Sequence, residues 1–339
     1  MEDTSRFDGL RAITPGSQAF RLARTIPGDG TRLERLLRKL DFRSKRVLAD
    51  GSGELDARFD RAIARAEADE TVDADQLNGA LKTIDDLDGD PADRAMRLVA
   101  ETDGAGVKLI DDLDTTQLRT LTDSVDSDTT LTKLSHQFDA GTVDSRHLDE
   151  VSELLDSGDM DGADLRRFSE LLDKRDSDEL IDDSIEADDL LDAAKDGDLS
   201  DTLAITLRNG NVYRLESGGN VGWEHIDDRH ITGAVEKDVE TTYFPTGQSI
   251  SRGGRTVEFD SAMTERDVKR VIKDTIKYGD PDTSDPGEVY SWSGHKYDNL
   301  GEVRVVLKDD GGVVTAYPDT GSSYSYPWWD PDSGGWKNV

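Results

Sequence analysis

Apolar residues recur at helical spacing through roughly the first 200 residues and then switch to short runs at strand spacing. Leu33, Leu36, Leu37 and Leu40 mark one stripe, Leu55, Phe59 and Ile63 a second, and Leu77, Leu81 and Ile84 a third. Further stripes run through Leu148 to Leu155 and Leu165 to Leu172. Asp73, Thr115 and Asp144 stand where N-caps belong, and Asp/Gly-rich joints such as Asp88-Gly89-Asp90-Pro91 separate the stripes. Asp-Asp-Leu-Asp occurs at 85–88 and again at 111–114, the trace of a loose repeat.

Beyond residue 200 the pattern predicts two hairpins around two helices. Ala204 to Leu207 and Val212 to Leu215 flank Asn209-Gly210, a tight-turn pair. Residues 222–231 have helical character. Residues 264–278 form the clearest helix, capped by Thr264 and apolar at Val268, Val271, Ile272 and Ile276. Val303 to Leu307 and Val313 to Tyr317 flank a second turn at 309–312. Strands, helices and strands in that order predict an α+β domain on an antiparallel sheet.

Composition sharpens the division. All five tryptophans (223, 292, 328, 329, 336), all eight tyrosines and six of nine prolines follow residue 210. We therefore expect an acidic all-α region over 1–198 and an α+β domain over 199–339. The whole chain carries 41 basic and 74 acidic residues, a net charge of -33, and no cysteine. Plentiful periodic apolar positions argue against disorder, and Asp-rich acid spread along the chain reads as a salt-adapted surface. In molar salt the Debye length is about 3 Å, so such acidity does not bar an approach to RNA. No apolar run is long enough to span a membrane, and Met1 to Ser17 lacks the apolar core of a signal peptide. Ser157, Asp159, Asp161 and Gly162 partly fit a calcium loop, but Phe168 stands where its bidentate Glu belongs.

Chemistry concentrates in the second half. His225 and Arg229 fall on one face of a helix, with His230 further round. Imidazole exchanges a proton near neutrality and guanidinium grips a phosphate bidentately. Those are the needs of RNA transesterification, although capping or packing histidines are equally compatible with the spacing. Zinc is disfavoured by the five-residue spacing and by the lack of a third ligand nearer than His295. No nucleophile-elbow motif supports a serine triad. On the last strand, Val313, Thr315 and Tyr317 share one face by alternation, so two hydroxyls stand side by side.

Gly222-Trp223-Glu224-His225-Ile226-x-x-Arg229-His230, an amphipathic helix, and then Val313-Val314-Thr315-Ala316-Tyr317-Pro318 resemble the barnase–EndoU–colicin–RelE nuclease superfamily. The toxin tips of polymorphic and contact-dependent toxins look closest. The resemblance covers about 140 residues and implies a four-stranded antiparallel sheet bearing a metal-independent, cofactor-free RNase site. It gives His225 the acid/base role, with Arg229 and His230 assisting and Thr315 and Tyr317 on phosphate. It also implies a cognate immunity protein, delivery machinery engaged by the amino-terminal region, and secretion or delivery into a target cell without a standard leader. Where EndoU-type members carry a second histidine in a Gly-rich stretch, this chain has Ser251-Arg252-Gly253-Gly254-Arg255. A silent interaction domain on the same fold and a virus head-associated nuclease-like protein are the alternatives. The aromatic tail from Tyr324 to Trp329 either packs or stacks on bases.

Overall fold

A computed structural model describes residues 40–41, 43–44, 47, 54–68, 70–125, 127–174, 180–196, 199–282, 289–297, 299–321 and 323–339. The helix expected around Leu33, Leu36 and Leu37 and the leader segment Met1 to Ser17 lie outside the described residues. The chain falls into two compact units, Met1–Glu170 and Leu171–Val339.

The first unit is helical in its described residues: α1 (Glu54–Ala68), α2 (Ala74–Asp85), α3 (Asp90–Thr102), α4 (Gly104–Asp112), α5 (Thr115–Ser124), α6 (Asp128–Asp139) and α7 (Ser145–Ser157). The unit boundary falls within α8 (Gly162–Lys174). Its core is the set of stripe residues read from the sequence, among them Phe59, Ile63, Leu77, Leu81, Leu148, Leu165 and Phe168, all buried. Phe168 thus fills a core position, and Asp161 receives the Ala163 and Asp164 amides at the start of α8. Asp73 and Asp144 cap α2 and α7 as predicted. At α5 the cap is Asp114 and not Thr115, because the Asp114 carboxylate takes both the Thr116 and Gln117 amides while Gln117 reaches back to the Asp114 amide. The repeated Asp-Asp-Leu-Asp ends α2 and α4 alike, and each time its leucine (Leu87, Leu113) is buried.

The second unit is mixed α+β, with small antiparallel sheets among its described residues. It contains α9 (Ala187–Asp196), the hairpin β1 (Thr202–Arg208) and β2 (Asn211–Glu216), and α10 (Gly222–Ile226) running into a π-helical turn over Asp227–Ile231. The hairpin β3 (Ser249–Arg252) and β4 (Arg255–Glu258) precedes α11 (Glu265–Tyr278). Strands β5 (Asp280–Pro281), β6 (Val289–Trp292), β7 (Val303–Leu307) and β8 (Val313–Pro318) then form a four-stranded antiparallel sheet in that order, and β9 (Trp328–Asp330) pairs with β10 (Gly335–Lys337). Asn209 (φ 54°) and Gly210 (φ 81°) are both left-handed, as the predicted tight turn requires. One face of α11 joins β7 in a common core: Val268, Val271, Ile272 and Ile276 cluster with Val303, Val305 and Leu307. Each such side chain contributes about 1.5–3 kcal/mol on burial.

This unit begins earlier than the composition change near 198/199 places it. The Ile205 amide donates to Leu180 O at 3.0 Å and the Asp182 amide to Ile205 O at 3.1 Å, so the segment before α9 pairs with β1. Asp182 is 1% exposed and accepts from Lys277 Nζ (2.6 Å), Thr206 Oγ1 (2.9 Å) and Ser184 Oγ (2.8 Å). Burial works against its charge, but the Lys277, Ser184 and Thr206 hydrogen bonds hold the carboxyl well below the usual range. Arg214, 1% exposed, pairs with Glu216 Oε1 of its own strand (3.1 Å) and ties β2 to Asp310 O (3.2 Å) and Asp196 O (3.2 Å).

In the first unit, α2 meets α4 where Gly79 leaves room for Asp111: a Cβ on Gly79 would come 1.7 Å from Asp111 Oδ1. Burial there, with Asp73, Asp112 and Asp75 nearby, pushes the Asp111 carboxyl up to about 6. A carboxyl raised in the folded state contributes stability that is complete below its unfolded value of about 3.9 and is lost as pH rises through the folded value. Asp111→Asn should therefore raise the melting temperature of this unit above about pH 6 and make little difference near pH 4. Calorimetry across that window tests it; an Asn variant less stable than wild type at pH 8 would refute the reading.

Candidate active site beside the edge strand

Strand β8 is an edge of the four-stranded sheet, and its local irregularity decides which side chains share a face. Val306 pairs with Thr315 but Leu307 pairs with Val313, so Val314 is an extra residue in β8. The bulge puts Val313 on the core side with Ala316, contrary to simple alternation, which groups Val313 with Thr315 and Tyr317. Thr315 and Tyr317 do remain together, opposite Val306 and Arg304 of β7.

α10 lies against β8. It starts where Gly222 takes φ 76°, a conformation in which a Cβ would come 2.7 Å from Glu216 O. The Thr232 amide then donates to Asp227 O at 2.7 Å, five residues back, which widens the last turn. More residues per turn bring His230 back toward the side of His225, where an α-helix would splay them apart, and the two rings interact electrostatically. The extended segment Thr241 to Phe244 closes the arrangement, buried throughout. Thr241 exchanges both backbone bonds with Trp329, the Thr242 hydroxyl donates to Pro318 O, and Tyr243 N and O both bond the Tyr324 hydroxyl. The Phe244 amide reaches His230 O at 2.8 Å.

His230 is 2% exposed, stacks on Tyr317 (ring centroids 5.5 Å, 22° between planes) and bonds Thr242 O through Nδ1 at 2.8 Å. A carbonyl only accepts, so Nδ1 carries the hydrogen and Nε2 the lone pair. Nε2 has no protein partner. Burial pushes this imidazole down to about 3, against the Thr242 bond and with help from Arg229 and His225. His225 is only partly buried; burial lowers its pKa, and Arg229 and Lys237 add to this while Asp228 opposes.

Arg229 is partly buried and no carboxylate of the described residues lies within ion-pair distance, although acids outnumber bases 74 to 41 in the chain. Its Nε is buried without a hydrogen-bond partner, as is Thr315 Oγ1. Burial lowers the Arg229 pKa, Tyr317 and Tyr243 oppose, and Arg252 lowers it further; the group remains a cation. Arg252 lies in the Gly-rich stretch where the family resemblance puts a second histidine and this chain has arginines. It is 6% exposed, donates to Lys237 O, and lies 4.5 Å over the Trp329 ring, whereas Arg255 is exposed. Of the five residues singled out by sequence, His225, Arg229, His230 and Tyr317 thus interact around β8 and the π turn, and Thr315 shares the strand face of Tyr317. Arg252, from the stretch that stands in place of that second histidine, joins them, and Thr242 and Tyr243 are the neighbours that sequence reasoning missed. The signal for Arg252 was the Gly253-Gly254 turn, which returns the chain beside it.

Among the described residues no three His, Asp or Glu side chains converge as metal ligands would. His295 lies elsewhere, beside Trp292 and Tyr297. The aromatic tail packs: Tyr324 and Trp329 are buried and Trp336 lies against Tyr243 and Phe259. No helix of the described residues is long and apolar enough to cross a membrane. No known protein family, curated protein or solved structure matches this chain.

A histidine lowered in the folded state contributes stability that is present above its unfolded pKa of about 6.5 and is lost as pH falls toward the folded value. His230→Gln should make this unit less sensitive to acid between about pH 6.5 and 3, though less stable at neutrality through loss of the ring stack. Nitrogen-15 NMR should find the wild-type ring as the Nδ1–H tautomer at pH 6.5 and well below it, with the cation appearing only as the pH nears about 3. A His230 midpoint near 6.5 would be incompatible with its environment.

Proposed function

We propose that Leu171–Val339 is a metal-independent endoribonuclease of the barnase–EndoU–colicin–RelE type, carried by a toxin effector. The observation behind this reading is Arg229: a partly buried cation left without a carboxylate in a strongly acidic chain, in the electrostatic reach of His225, His230 and Tyr317. A buried cation is ordinarily paired, so the missing partner has the chemistry of an anion supplied from outside. A phosphodiester meets that need, and Thr315 and Tyr317 add hydroxyl donors from one strand face.

In this mechanism neutral His225 removes the proton from a ribose 2′-hydroxyl. The 2′-oxygen bonds to phosphorus, the bond from phosphorus to the 5′-oxygen breaks, and that oxygen leaves as an alcohol with a proton from solvent. The products are a 2′,3′-cyclic phosphate and a free 5′-hydroxyl. Arg229 balances the charge growing on the phosphoryl oxygens. The lowered pKa of His225 keeps it in its basic form at neutrality, whereas His230 is a neutral acceptor that packs Tyr317 in place. The helical unit would serve delivery or assembly, and a cognate immunity protein would shield the producer.

RNA cleavage in molar KCl should survive EDTA. His225→Ala should cost about 10²–10⁴-fold in rate at matched folding. Arg229→Lys should also lose activity, because an ammonium cannot reproduce a bidentate fork, and Thr315→Val should lose less. The rate should stay level on lowering the pH through 6.5 and fall only below it, because the His225 pKa is lowered. Cleavage by His225→Ala at the wild-type rate would make the histidine structural, and a unit that neither cuts RNA nor arrests growth on expression would be an interaction domain.

A further inference from the structure

A second feature of the same unit lies along α11 and β6. Helix α11 carries five basic residues against three acidic ones, a reversal of the balance of the chain. Four aromatic rings follow this helix. Tyr278, its last residue, is 5.9 Å from Trp292, which is 5.9 Å from His295, which is 6.1 Å from Tyr297. Tyr297 in turn stands beside Asp267 in the first turn of α11, so the row spans the helix from end to end. Cations accompany the rings: Lys277 Nζ is 5.8 Å from the Tyr278 ring centre and Lys296 Nζ 5.1 Å from that of Tyr297.

Tyr278 is 59% exposed, the most exposed large apolar side chain among the described residues. Trp292, His295 and Tyr297 are each partly exposed. Core packing does not account for an open tyrosine at the end of such a row. The rings meet tilted or edge-on (43°, 85° and 44° between planes), a stepped surface open at Tyr278 that, with Lys296 beside Tyr297, suits a flexible ligand carrying both flat rings and negative charges. Single-stranded nucleic acid has that chemistry; a duplex hides its bases, and an apolar protein face would gain nothing from the lysines. Lys277 spends its charge on the buried Asp182 at 2.6 Å, whereas Lys296, 68% exposed and 3.8 Å from Asp267, stays open to a phosphate.

We propose that the row Tyr278–Trp292–His295–Tyr297, with Lys296, is a stacking platform for the unpaired bases of a single strand. It rests on the ribonuclease reading for its natural ligand, RNA, but not for binding itself. On that reading the enzyme selects single-stranded substrate by a surface separate from its phosphate site.

Binding of a labelled single-stranded oligodeoxynucleotide, followed by fluorescence anisotropy in molar KCl, tests the platform. The probe lacks the 2′-hydroxyl, so binding is read without cleavage. The wild type should bind the single strand and hold the matching duplex at least tenfold more weakly. Tyr278→Ala should weaken single-strand binding about tenfold, the usual loss for one stacked base, and Tyr278→Phe should restore it. Trp292→Phe, the conservative change at a packed ring, should also retain binding. Neither Tyr278 variant should alter cleavage of a saturating dinucleotide, because Tyr278 is not among the residues of the phosphate site. Absence of binding, equal affinity for duplex and single strand, or a Tyr278→Ala variant that binds like wild type would overturn the proposal. Binding without RNA cleavage would leave the platform standing and remove the nuclease.

Discussion

Four consecutive residues without a strand of their own hold the second unit together. Thr241 to Phe244 run extended and buried, and each finds its hydrogen bonds in a different element: the tail at Trp329, the end of β8 at Pro318, the Tyr324 hydroxyl, and the π turn at His230. A buried backbone must place every N–H and C=O, so this segment can lie here only if those elements come to meet it. The position of His230, and through the ring stack that of Tyr317, follows from that requirement. Catalytic geometry, on the reading adopted above, is thus a by-product of satisfying a peptide segment with no regular partner strand.

The regular parts of this design were legible in the chain. The Thr264 cap and four apolar positions of α11, the Asn-Gly hairpin and the closing pair β7–β8 each carry a local signal in residue type or spacing. What escaped was set by non-local contacts. The bulge at Val314 changes no residue type and shifts Val313 to the core face. The wide turn after α10 looks like ordinary helix in sequence yet turns His230 inward. Thr241 to Phe244 has no periodicity to read, and Arg252 is one of two arginines next to glycines until the turn places it near Arg229. The unit boundary was displaced for the same reason: residues 180–196 share the acidic, aromatic-poor composition of the first half but pair with β1.

On the readings proposed above, a salt-adapted surface and an anion site pull in opposite directions, and the distribution of charges is in keeping with both. Acid is spread over the helical unit and most of the second, while cations without carboxylates gather at Arg229 and Arg252 and a cationic excess marks α11. In concentrated salt the diffuse negative field decays within a few ångströms. Short-range features such as desolvated guanidinium, ring faces and fixed hydroxyls keep their strength there, because they act in contact and away from bulk ions.

The Asp182 latch bears on how such a unit could move between proteins. Its carboxylate is contributed by a segment that looks like the tail of the helical region, yet it neutralises Lys277 on α11 and receives Thr206 from β1. A gene fusion made at the change of composition would transfer the sheet, the histidines and the tail but leave the latch with the donor. The recipient would inherit a lysine without its counter-charge and a first strand without its neighbour. A cut that keeps the latch has to fall upstream of Leu180, so the folding unit is longer than the stretch set apart by its composition.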